Sequence, residues 1–77
     1  MMEYKINFTW DAEVHVWIAT SDDVCGLVLE HGSLDALIER VKLAVPELLK
    51  QNTTLPLTKN IALSYNTQRF ERLALHG

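Results

Sequence analysis

Two adjacent carboxylates, Asp22 and Asp23, are the groups in this chain whose types and spacing first suggest chemistry. Such a pair can supply oxygen ligands to a divalent cation or share a proton in acid-base work. With Glu30 and His31 near the ends of neighbouring strands, they would be the working groups of a small metal-dependent hydrolase. The spacing argues for less. A metal site needs further carboxylates that converge, and Asp11 and Glu13 fall into no such pattern. The expectation is a solvated loop in which Asp22 accepts from N–H groups of its own turn.

The other reactive side chains follow the same course. His15, His31 and His76 form no H-E-x-x-H motif and no i, i+4 pair, and no second cysteine joins them. Cys25 with His31 has the ingredients of an activated thiolate, but no third group or oxyanion donor accompanies them, and a small residue filling sheet space is the expected role. Gly26 and Gly32 belong to no phosphate-cradling motif. Phe8, Trp10 and Trp17 on strands could stack the bases of single-stranded RNA, yet only Lys5 lies near them on the same hairpin, so core packing or a protein interface is favoured. No catalytic set, cofactor or metal is therefore expected.

Composition narrows the class. The chain has 77 residues, one cysteine and a formal net charge of −3, with a pI near 5.4. One small domain spanning residues 1–77 fits that length. The seven Lys and Arg are scattered, so no electrostatic footprint for nucleic acid is present. A single Cys excludes an internal disulfide and fits a reducing cytoplasm. Neither a signal-peptide pattern nor an apolar run long enough for a membrane span occurs, so the expected location is cytoplasmic.

The elements that must position these groups can be read from periodicity. Tyr4 to Trp10 alternates, with Tyr4, Ile6, Phe8 and Trp10 on one face, and reads as a strand. Asp11-Ala12 turns the chain into a second strand, Glu13 to Thr20, where Val14, Val16 and Ile18 alternate with His15, Trp17 and Ala19. Val24 to Glu30 reads as a third strand, with Gly26 marking a bulge or a close backbone approach. Ser33 to about Gln51 is a helix: Leu34, Leu37, Ile38, Val41, Ala44, Val45 and Leu48 share one face, Ser33 can cap the first turn, and Asp35 and Lys50 suit the two ends of the dipole. Pro46 inside it predicts a kink or a restart, and Asn52 a left-handed stop. Asn52 to Thr58 reads as a loop and Asn60 to Asn66 as a fourth strand. Gln68 to Leu75 fits an extension of that strand, a bend or a helical turn equally well.

The expected fold is therefore α+β in the order βββαβ: a three-stranded antiparallel meander, one helix packed on the sheet, and a returning fourth strand. One helix leaves the other sheet face uncovered, and the alternation puts Trp17 and His15 there. Those two residues, with Ile61, Leu63, Tyr65 and Phe70 of the returning segment, are the expected interface of a twofold homodimer.

The run Val16-Trp17-Ile18-Ala19-Thr20-Ser21-Asp22-Asp23-Val24, followed by Gly26-Leu27, by Gly32-Ser33 opening the helix and by Val45-Pro46-Glu47-Leu48-Leu49, resembles a small bacterial family of uncharacterised function grouped with the HicB-like antitoxins. The likeness covers roughly residues 3 to 75. It implies a partial RNase-H-like unit that binds a small basic toxin ribonuclease rather than cutting RNA. Full HicB-type antitoxins usually carry a C-terminal helix-turn-helix or ribbon-helix-helix segment, which the residues up to Gly77 do not match, so direct DNA binding is not expected.

Overall fold

The computed structural model describes residues 2–52 and 60–76. Along the chain run β1 (Met2–Asp11), β2 (Val16–Thr20), β3 (Val28–His31), α1 (Leu34–Asn52) and β4 (Ile61–Gln68). The order βββαβ and the α+β class are those read from the pattern. The strands form one mixed sheet in the order β3-β2-β1-β4. The first three are an antiparallel meander, while β4 returns beside β1 and runs parallel to it. A parallel neighbour requires a crossover, and α1 with the segment after it provides one.

Register decides which side chains share a face. Phe8 stands opposite Ala19 and Trp10 opposite Trp17, while Tyr4 faces Leu63 and Ile6 faces Tyr65. All of these therefore project from the helix side of the sheet, and Val16 and Ile18 project from the other. This corrects the placement of Trp17 on the uncovered face. Its half-buried ring packs against the core. The reason is the pairing: Ala12 to His15 form a four-residue turn with His15 at φ 56°, and a turn with an even number of residues sets the odd residues of β2 opposite the even residues of β1, so Trp17 shares the face of Phe8 and Trp10. A three-residue turn after Trp10 would have paired Trp10 with Val14 and exchanged the faces of β2.

The core is one layer between helix and sheet. Tyr4, Ile6, Phe8 and Ala19 come from the strands, Val24 and Leu27 from the turn before β3, and Leu37, Val41, Val45 and Leu49 from α1. Full burial of an aliphatic side chain contributes about 1.5–3 kcal/mol, so Leu37, Val41 and Val45, all fully buried, hold the helix down. Of the expected helix stripe Leu37, Val41 and Val45 are buried, joined by Leu49, while Leu34, Ile38, Ala44 and Leu48 are half-buried against the core.

Ser33 caps α1 as its type suggests. Its hydroxyl accepts from the Ala36 N–H at 3.3 Å, and its carbonyl accepts from Leu37 at 3.0 Å. The helix runs through Pro46 without a restart. Asn52 is not a left-handed stop, since His15 is the only non-glycine described with positive φ. Asn52 closes the helix by another route: its side-chain amide donates to the Leu48 carbonyl at 2.8 Å and to the Cys25 carbonyl at 3.2 Å, tying the helix end to the turn before β3.

The third strand is shorter than the sequence suggests, because Val24 to Leu27 form a turn in which Gly26 adopts φ +85°. That conformation favours glycine. The loop expected over residues 52–58 lies outside the described residues apart from Asn52, which belongs to α1. No helix among the described residues is long and apolar enough to cross a membrane.

Because Trp17 belongs to the helix-side packing, Trp17→Ala is expected to lower stability by about 2 kcal/mol, below the range for a fully buried ring. Urea unfolding followed by circular dichroism checks this. An unchanged midpoint would return Trp17 to the surface.

Candidate functional site

The Ser21–Val24 loop is built from side chains that stand in for a strand. The β1–β2 register runs from Asp11 opposite Val16 to Asn7 opposite Thr20, and continuing it would pair Lys5 with Asp22. The flanking side chains make those bonds instead. Ser21 Oγ donates to the Lys5 carbonyl at 2.6 Å, and Asp23 Oδ2 accepts from the Lys5 N–H at 2.8 Å. Ser21 Oγ also accepts from the N–H groups of Asp23 and Val24 at 3.0 and 3.1 Å. The ladder is thereby satisfied while the backbone peels away from β1, and Val24 drops fully into the core. Asp23 is thus committed to a main-chain N–H, while Asp22 lies exposed beside it.

The remaining groups of the hydrolase reading are dispersed. His31 pairs with Trp17, and Val28 with Thr20, at opposite ends of the β2–β3 ladder, so His31 lies about 10 Å along the strands from the aspartate loop at about 3.3 Å per residue. His31 Nδ1 accepts from the Ser33 N–H at 2.8 Å, and Glu30 projects from the opposite sheet face. Cys25 is an exposed free cysteine, which corrects its expected role as sheet filler: it lies in the turn before β3. Among the described residues no three His, Cys, Asp or Glu side chains come close enough to hold a metal ion.

A different constellation assembles where β1 ends. The rings of Trp10 and Trp17 lie 5.4 Å apart, and the His15 ring meets Trp10 edge-on at 6.1 Å. Over the Trp10 ring, at 4.1 Å, lies the guanidinium of Arg69, which also pairs with Glu71 at 2.7 Å. Stacking on a ring contributes about 0.5–1 kcal/mol at an exposed site. It anchors the point where the chain leaves the sheet.

Beyond it, Arg69 to His76 form an arm without regular structure whose residues are all exposed, including Phe70 (71 %), Leu73 (83 %) and Leu75 (95 %). Trp10, Ala12 and His15 line a cleft of about 450 Å³ together with the start of the arm, Arg69 to Arg72.

Of the residues expected at an interface, His15 lies in the β1–β2 turn, Ile61 and Leu63 are half-buried on β4, and Tyr65 and Phe70 are exposed. Trp17 is in the helix-side packing. Arg69, Leu73 and Leu75 lie in the returning segment Ile61 to Leu75 that was expected to contribute, without having been singled out within it. The alternation Leu73-Ala74-Leu75 was a signal, weakened because that stretch fits a strand, a bend or a helical turn equally well.

The loop geometry predicts that Ser21→Ala, which removes one donor and two accepted bonds, destabilises by about 1–2 kcal/mol, whereas Asp22→Ala stays within about 0.5 kcal/mol. Paired urea titrations test this. A larger effect at Asp22 would show that the loop is held by the other carboxylate.

Comparison with known proteins adds a family and a neighbour. Residues 3–76 match the family described as a domain of unknown function, DUF1902. A crystal structure of a hypothetical protein from the extremely thermophilic bacterium Thermus thermophilus superposes with a TM-score of 0.69 at 34% identity, over 95% of this chain and 99% of that one. None of the curated proteins matches the chain.

Proposed function

The chain belongs to the DUF1902 family of unknown function, and from that premise we propose that it is a noncatalytic protein-binding module of the HicB antitoxin type. It would act in the cytoplasm as a homodimer and bind a small basic toxin ribonuclease. The observation that carries this reading is the arm. Three large apolar side chains, Phe70, Leu73 and Leu75, are more than two-thirds exposed within one short segment. Side chains exposed together in this way mark interaction surfaces.

Charge supports a basic partner seated on the body of the molecule rather than on the arm. Within the arm, Arg69 and Arg72 outweigh Glu71, so the arm carries +1 and the rest of the chain −4 of the total −3. Complementary charge of this kind raises the rate of encounter and selects among partners. The resemblance of the Val16–Val24 run to the antitoxin group supplies the identity of the partner class.

The test is co-purification with the product of the neighbouring reading frame. A short basic protein carrying a histidine is expected there, co-eluting with this chain and losing its ribonuclease activity in the complex. Elution of the two as free species at micromolar concentration overturns the reading.

A further inference from the structure

We propose that two copies of this chain exchange arms, residues 69–76 of each adding as an antiparallel strand to the outer edge of β4 in the other. This deepens the protein-binding reading, on which it rests, by naming the occupant of the β4 edge.

Four observations converge on it. First, β4 is an edge strand, and among the described residues no strand pairs with its outer side. Edge strands are usually protected by charge, proline, a bulge or brevity. The other edge, β3, has four residues and carries Glu30, whereas β4 runs for eight residues, Ile61–Gln68, with no charge and no proline.

Second, the arm extends the molecule instead of folding back on it. The chain measures 60 Å along its longest axis and its radius of gyration is 15.2 Å, against about 11–12 Å for a compact chain of this length. β4 and the arm together are sixteen residues, 61–76, which extended span about 53 Å and account for most of the long axis. Third, the arm and the edge each comprise eight residues, so each can satisfy the other's backbone over its full length.

Fourth, the side chains select a register. A twofold axis normal to the sheet keeps both helices on one side, so residues facing each other must belong to the same face. Centring the axis on Gln68 sets Leu73 opposite Leu63 and Leu75 opposite Ile61, joining two exposed leucines to two half-buried β4 residues. Ala74 then meets Ala62 and Arg72 meets Ser64, with no like charges opposed. Centring it on Arg69 instead would oppose two guanidinium groups, which is unfavourable across strands.

Disulfide trapping in the full-length chain tests the register. In a Cys25→Ser background, the combined Ala62→Cys and Ala74→Cys variant is expected to oxidise to a covalent dimer. Within one extended chain those two positions are about 40 Å apart, so an intramolecular bond cannot form, and either substitution alone is expected to leave the chain uncrosslinked. Leu73→Lys with Leu75→Lys, at positions already exposed in the monomer, is expected to weaken dimerisation by about tenfold or more in sedimentation equilibrium.

A wild-type dimer that does not trap at 62 and 74, or that is indifferent to the two lysines, overturns the arm exchange; if the basic partner is still bound, the protein-binding reading survives. A wild-type chain that stays at 8.8 kDa over the whole dilution series also overturns the exchange.

Discussion

One helix cannot cover four strands, and the arrangement of this protein follows from that mismatch. A helix with its side chains is about 10 Å across, while four strands at about 4.8 Å spacing span about 14 Å between the outer axes. The backbone of α1 lies nearest to β2 and β3, so the deep core forms under it, and β4 remains at the margin. Exposure follows this geometry. Ile6 and Phe8 on β1 are fully buried, yet Tyr65, opposite Ile6 on β4, is 40 % exposed even with its ring packed edge-on against Phe8 at 5.5 Å. Uncovered apolar surface is therefore built into the topology rather than scattered over it.

The Thr20-Ser21-Asp22-Asp23-Val24 run shows how acidic residues can carry structure. Peeling a strand from a sheet leaves main-chain groups without partners, and each such group costs free energy if buried or poorly hydrated. Ser21 and Asp23 restore both Lys5 bonds with side chains, which lets the backbone turn and deliver Val24 and Leu27 to the core. The adjacent carboxylates that suggested metal or acid-base chemistry thus divide into one that replaces a strand bond and one that faces water.

At the other end of the sheet, aromatic residues play the corresponding part. Trp10, Trp17 and the Arg69 guanidinium pack together where β1 ends and the arm begins. The arm is thereby held at its root while its apolar residues point away from the body of the molecule. A binding segment with a fixed root and an uncovered tip loses less conformational freedom on docking than one disordered throughout.

The sequence by itself determined the elements and their order. The two-residue period of Tyr4 to Trp10, the helical stripe from Leu34 to Leu48 and the Ser33 cap are local, because hydrophobic periodicity and hydrogen bonding within a turn involve residues close in the chain. Tertiary structure decided the register and the neighbours. A turn of four residues rather than three set Trp17 on the helix side, since a strand's faces alternate and a single step in register exchanges them. The parallel pairing of β4 with β1 depends on where a crossover of some thirty residues lands, and no local pattern records this. The same holds for Asp23, whose partner Lys5 lies 18 residues away. Its role was hidden in the sequence because a carboxylate reads alike whether it awaits a cation or accepts from a distant N–H.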